Sequence, residues 1–223
     1  MTDVGAFRAE FPVLERIAYL NAGTTGPVPE RAARAAQEAV ARAATAGRTG
    51  RPYFEAKLAQ ADEVRGRMAG LFRCDPAHVA LTHSTTDGVN VVLNGLDLPA
   101  GSEVLTSDEE HPGVLGPLGA AVRRAGWRVR IAPFDALADA VRPETRLVAC
   151  SHVSWVRGAV VDTAALRATG VPLLLDGAQG IGAIPLDMGA LDCDWYAASG
   201  QKWLCGREGT GCLYVSERQL EDT

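Results

Sequence analysis

What most limits the folds open to this chain is the rhythm of short apolar runs that begins after Pro76. Residues 79–81, 103–106, 129–132, 147–150, 171–175, 195–198 and 212–215 are bounded by Gly, Pro, Asp or Ser, as buried strands are. Helical spacing fills most of the intervals between them, at 87–96, 114–125, 134–141 and 163–169. Alternating strand and helix requires crossover connections. It therefore predicts an α/β fold, a mostly parallel seven-stranded sheet with helices on both faces. No helical pattern separates Ala198 from Cys212, so an antiparallel last strand is expected there.

Upstream, residues 29–46 are Ala-rich, with Ala33, Ala36, Val40 and Ala43 on one helical face, and a Gly/Arg/Thr stretch at 47–52 ends that helix. Phe54, Leu58, Ala61, Val64, Met68 and Leu71 then recur at three- and four-residue steps. That is a long amphipathic helix, whose stripe suits core or dimer packing better than a ligand box. The chain divides into an N-terminal helical segment, 1–75, and a sheet domain, 76–223.

Composition removes several functional classes. With 223 residues, 47% of them hydrophobic, the chain can bury a core without staples. A net charge of −5 argues against nucleic acid or an anionic membrane as partner. Residues 1–10 carry no signal-peptide pattern, and no apolar run approaches the ~18 residues of a membrane span. The five cysteines (Cys74, Cys150, Cys193, Cys205 and Cys212) are scattered without CxxC spacing. They read as reduced packing residues of a cytoplasmic protein, and a zinc site is not expected.

In such a sheet ligands sit beyond the carboxyl ends of the strands, and four polar clusters fall there. Thr82-His83-Ser84-Thr85-Thr86-Asp87-Gly88 opens a helix, where hydroxyls and free N–H groups suit an anion; an ordinary N-cap by Ser84 or Thr86 is the plainer reading. No Gly-rich nucleotide loop is present. Asp108-Glu109-Glu110-His111-Pro112 follows a strand; His111 there is a base, a ligand or a flat surface for a ring, and a solvated acidic loop is the alternative. In Leu173-Leu174-Leu175-Asp176-Gly177-Ala178-Gln179-Gly180 an acid closes a very apolar strand. It needs a charged partner such as a protonated ring nitrogen, unless it only caps a helix. Finally, Ala198-Ser199-Gly200-Gln201-Lys202-Trp203-Leu204 sets a lysine among small and apolar residues. Burial there would make it a neutral nucleophile, as Schiff-base chemistry requires, whereas a solvated loop would leave it inert.

Taken together, the last two clusters and Gly209-Thr210-Gly211 resemble the signature of the class V aminotransferase and cysteine desulfurase family, fold type I of the pyridoxal-phosphate (PLP) enzymes. The Asp176–Lys202 spacing of 26 residues fits that family. The likeness extends through Tyr19-Leu20-Asn21, Thr85-Thr86-Asp87-Gly88-Val89-Asn90, Glu110-His111-Pro112 and His152-Val153-Ser154-Trp155, nearly the whole chain. It implies that Lys202 holds pyridoxal 5'-phosphate as a Schiff base and then moves the substrate's α-proton. Asp176 would keep the ring nitrogen protonated, His111 would stack on the ring, and Gln179 would bond its phenolic oxygen. Thr85, Thr86 and Ser199 would hold the phosphate, with Gln201 replacing the histidine that desulfurases carry before the lysine. It also implies an amino-acid substrate and a homodimer.

The departures from the family pattern bear on activity. Trp155 stands where desulfurases often have asparagine, as in epimerase-like and lyase-like branches. Family members run to nearly twice this length, and the small C-terminal domain that brings the carboxylate-binding arginine, and in desulfurases the sulfur-accepting cysteine, has no counterpart in these residues. Cys205 does not replace that cysteine, and a complete minimal enzyme would need Arg207 or Arg157 at the carboxylate. The resemblance implies C–S (or C–Se) lyase chemistry first, then epimerase or aminotransferase. Against these stand a non-catalytic scaffold for protein association and, disfavoured, a nucleotide-binding α/β protein.

Overall fold

A computed structural model describes residues 3–220. Its strands are β1 (Val79–Thr82), β2 (Glu103–Ser107), β3 (Arg128–Ala132), β4 (Thr145–Ser151), β5 (Leu173–Asp176), β6 (Trp195–Ser199) and β7 (Gly211–Val215). They form a single seven-stranded sheet in the order β1-β7-β6-β5-β4-β2-β3. Neighbours from β3 through β6 are parallel, and β7 runs antiparallel to both β6 and β1. Only β7 is therefore reversed, in the place where no crossover helix was expected.

The helices are α1 (Val4–Ala9), α2 (Glu30–Ala46), α3 (Arg51–Phe72), α4 (Thr85–Gly95), α5 (Pro112–Ala125), α6 (Thr163–Ala168), α7 (Met188–Leu191) and α8 (Glu217–Leu220). Alternation along β5 shows how they cover the sheet. Leu173 and Leu175 face one core, with Ala69 and Phe72 of α3, Leu166 of α6 and Met188 of α7. Leu174 faces the other, with Val89, Val92 and Leu93 of α4 and Val114, Leu118 and Ala121 of α5. The expected two-sided α/β architecture is present. No helix among the described residues is long and apolar enough to cross a membrane.

Three details differ from the sequence reading. The helix expected over 134–141 is a 3-10 turn, Phe134–Ala136, followed by further turns. Arg130 donates a guanidinium N–H to the Ala140 carbonyl, and a segment this short has too few internal bonds to propagate a helix. Strand β5 begins at Leu173, because Pro172 lacks an N–H and offers the sheet only its carbonyl, to Val148 N at 2.9 Å. α3 reaches the core through Ala69 and Phe72, which lie off the predicted stripe, and through Met68 of the stripe, while Phe54 and Leu58, like Val40 on α2, are exposed. A groove of about 640 Å³ runs between α2 and α3.

Close backbone approach sets the turn after β5. A Cβ on Gly177 would lie 1.9 Å from Tyr196 Cε1, a fully buried ring. Gly177→Ala should destabilise the fold by about 3 kcal/mol through overpacking. Gly66→Ala, on an exposed turn of α3 with open space around it, should be neutral or add about 0.5–1 kcal/mol. Urea unfolding of the two variants measures the contrast.

Candidate active site

The register of the sheet gathers the polar clusters. Ser151 of β4 pairs with Asp176 of β5, which pairs with Ala197 of β6. At the end of the sheet Gly211 has Ser199 on one side and Thr82 on the other. The carboxyl ends of β1, β2, β4, β5 and β6 thus face one crevice, where parallel α/β sheets place their ligands.

Asp176 is 6% exposed. One carboxylate oxygen accepts the Ala178 N–H at 2.8 Å. Burial pushes its carboxyl above the usual range, opposed by that N–H and by the charges of Lys202 and His111. Its carbonyl accepts His152 N–H at 2.8 Å. Behind the turn, the His152 ring nitrogen Nδ1 lies 3.0 Å from the Tyr196 hydroxyl. Burial lowers the His152 imidazole to about 4, so the ring is neutral. A Cβ on Gly180 would collide with that hydroxyl at 2.2 Å, so only a glycine lets the turn lie on the pair.

Two elements bring buried polar groups to this edge of the sheet. Ser84 is the N-cap of α4, its Oγ accepting Asp87 N–H at 3.0 Å, which settles which residue caps. That leaves Thr85, in the first turn, with a buried hydroxyl that has no partner. Ser199 Oγ and Gln201 Oε1, from β6 and the loop after it, are also buried without partners. Buried polar groups are nearly always paired, so the two hydroxyls, which can donate at one helix N-terminus and one strand end, fit a bound phosphate. Gln201 Oε1 is an acceptor and does not; only the Nε2 end of that amide can donate to an anion. Thr86 sits slightly apart: a Cβ on Gly113 would be 2.6 Å from Thr86 Oγ1, which places this hydroxyl against the start of α5.

Lys202 lies half-buried in the loop between β6 and β7 and forms no ion pair among the described residues. Burial lowers its amine, with Asp176 opposing. The loop is shaped by Gly200 and Gly206, whose N–H groups bond Thr210 O at 2.9 Å and Gly200 O at 2.8 Å. Residues 21–26 cross over it: Gly26 N–H bonds Gln201 O at 2.7 Å, and a Cβ on Gly26 would sit 2.0 Å from Lys202 O. Gln179 is held from both ends, donating to Gly23 O at 2.9 Å and accepting from the Trp203 indole at 2.7 Å.

The acidic loop after β2 is not simply solvated. Glu110 is buried and accepts from Ser107 Oγ, from Ser151 N at 2.9 Å and from Ser151 Oγ at 2.7 Å. Glu109 binds Arg157 at 2.6 Å, and Arg157 also holds Asp135 at 2.7 Å. Arg157 is therefore committed, and Arg207 lines the groove between α2 and α3. His111 is the N-cap of α5; its Nδ1 accepts Gly113 N–H at 3.0 Å, which leaves the ring exposed with Trp155 edge-on at 5.4 Å. Nothing local in the residues announces the His152–Tyr196 pair or the contact of Gly23 with Gln179. Each joins residues far apart in the chain, and only the cluster of glycines at 23, 26, 177 and 180 hints at close approach.

Residues 18–223 match the family described as Aminotransferase class-V, and the chain belongs to that family of PLP-dependent enzymes. Over 223 residues it is 33% identical to isopenicillin N epimerase of Streptomyces clavuligerus, covering 92% of this chain and 55% of that protein. A cysteine desulfurase of Escherichia coli is 31% identical over 243 residues, covering 99% and 60%. The solved complex of the cystine C–S lyase C-DES with its product cysteine persulfide aligns at 32% identity and a TM-score of 0.90, covering 95% and 60%. A C-DES mutant with glycine covalently linked to the PLP cofactor gives 0.91, covering 96% and 60%. The chain spans 55–60% of the length of these relatives.

The depressed imidazole of His152 makes stability pH-dependent. In the unfolded chain the ring takes a proton near 6.5, while in the fold it does so only near 4. Stability is complete above 6.5 and is lost as pH falls toward 4, by about 1.4 kcal/mol at pH 5.5 and about 3 kcal/mol in full. Asp176 and Glu110, whose carboxyls are raised, act with the opposite sign. Urea unfolding at pH 7.5 and 5.5 should show this loss in the wild type relative to His152→Gln, which lacks the titrating ring.

Proposed function

We propose that this chain carries the PLP site of an enzyme acting on an amino acid, with Lys202 as its covalent anchor. The observation that carries the reading is the pair of buried, unpartnered hydroxyls of Thr85 and Ser199 beside a lysine of lowered basicity and a buried acid. When bound, PLP supplies an electron sink for a carbanion at the substrate's Cα. The protein's part is positional and electrostatic. Thr85, Ser199 and Gln201, with Thr86 alongside, hold the phosphate, and Asp176 holds a proton on the ring nitrogen. His111 offers its exposed face to the ring, and Gln179 donates to the ring oxygen. The Lys202 amino group, when not bound to the cofactor, would take the α-proton.

Among family chemistries, C–S bond cleavage is the leading reading. It is supported by the likeness to the cystine C–S lyase. Lys202 would take the α-proton, and the electron sink that PLP would supply would let the β-carbon–sulfur bond break, the sulfur leaving as a thiol from a thioether or as a persulfide from a disulfide. With water the remaining skeleton gives pyruvate and ammonium. The likeness to isopenicillin N epimerase favours a second reading, return of the α-proton from the opposite face. A homodimer through the exposed stripes of α2 and α3 completes the proposal.

With PLP added, the wild type should show a visible absorbance band that Lys202→Ala lacks and borohydride bleaches. No such band in the wild type would sink the reading. Thr85→Val should weaken PLP binding about tenfold, as loss of a hydrogen bond to a charged group does. S-linked cysteine derivatives should yield thiol and pyruvate in equal amounts; α-proton exchange in deuterated water without pyruvate would point to the epimerase reading.

A further inference from the structure

The amide of Gln179 sits between two partners that each admit one polarity. The Trp203 indole N–H can only donate, and it meets Oε1 at 2.7 Å; the Gly23 carbonyl can only accept, and it meets Nε2 at 2.9 Å. Together they fix which way the amide points, a choice that is otherwise nearly degenerate. One Nε2 hydrogen remains free. Gly23 has little room to spare: a Cβ there would stand 3.3 Å from Gln179 Oε1 and 3.5 Å from Trp203 Cζ2. Gly26, three residues on, is bonded to the backbone of the lysine loop itself. Trp203, though 39% exposed, thus spends its indole N–H inside a three-way junction of the turn after β5, the loop holding Lys202, and the segment 21–26.

We propose that Trp203 is a positioning residue: through Gln179 its indole N–H sets the one donor left for the cofactor's ring oxygen, and the same amide latches segment 21–26 over the lysine. This rests on the reading that PLP is held by Lys202. Without the indole N–H one of the two restraints on the amide is lost, the donor is held less firmly toward the ring oxygen, and the latch on Gly23 is weakened. A ring oxygen that loses its donor carries more negative charge beside the protonated lysine linkage, so the pH midpoint of the visible band moves up.

The test is Trp203→Phe, which keeps a ring and removes the N–H, in the PLP-loaded chain. The expected results are a raised pH midpoint of the visible band, PLP binding weaker by about tenfold, and faster hydrogen exchange at backbone amides 21–26, with the urea midpoint nearly unchanged. The double variant Trp203→Phe with Gln179→Ala separates a direct role from one through the amide. If Trp203 acts through Gln179, adding Trp203→Phe to Gln179→Ala moves the midpoint no further. An unmoved midpoint in Trp203→Phe overturns the proposal whatever the exchange shows, and so does an equal shift in the Gln179→Ala background. A wild type without a Lys202-dependent band overturns the functional reading itself, and the two failures are told apart by that control.

Discussion

A carboxylate at the end of the most apolar strand organises this molecule. Leu173, Leu174 and Leu175 are sandwiched between two cores, so the residue that follows them is buried whatever its chemistry. Placing an acid there is costly unless a cation or several donors meet it. Asp176 receives one backbone N–H and the distant charges of Lys202 and His111, and burial still prevails in raising its carboxyl. The neighbouring structure keeps the acid in place: His152 holds its carbonyl, and Gly177 and Gly180 let the turn rest on Tyr196 and His152 without a gap. A protonated ring nitrogen is the kind of partner such an acid lacks.

The far side of the crevice carries a similar debt in neutral groups. Thr85, Ser199 and Gln201 each bury a polar atom without a partner, at a loss of about 1–3 kcal/mol apiece. A phosphate at the N-terminus of α4 would accept from the hydroxyls of Thr85 and Ser199 and gain from the helix dipole, whereas Gln201 Oε1, itself an acceptor, calls for a donor. Binding and folding are then linked, since a ligand that fits only the folded crevice raises stability with its concentration.

Much of this was legible from the residues. All seven strands and the reversed β7 followed from short apolar runs and one missing helix, because burial on both faces writes itself directly into composition. Asp176, Lys202 and the Ser/Thr cluster were found because strand ends are where polar residues have least structural excuse. What could not be read were contacts between distant segments. Nothing local announces that Gly23 would meet Gln179, or that Tyr196 would meet His152. The stripe on α3 shows the converse limit. Its periodicity revealed an apolar face but not what covers it, and within this chain Phe54 and Leu58 remain uncovered.

Two buried acids, one on β5 and one in the loop after β2, show how donors divide labour between residues of the same charge. Glu110 and Asp176 each have a carboxyl raised by burial, and each adjoins Ser151, through a hydrogen bond and through strand pairing respectively. Glu110 takes three donors, from Ser107 and from the backbone and hydroxyl of Ser151, so its lone pairs are largely spoken for. It ties the end of β2 to the end of β4 and sets the backbone from which His111 begins α5. Asp176 takes a single N–H, which leaves its second oxygen for whatever enters the crevice. The two acids differ in the number of neighbouring donors they meet rather than in burial.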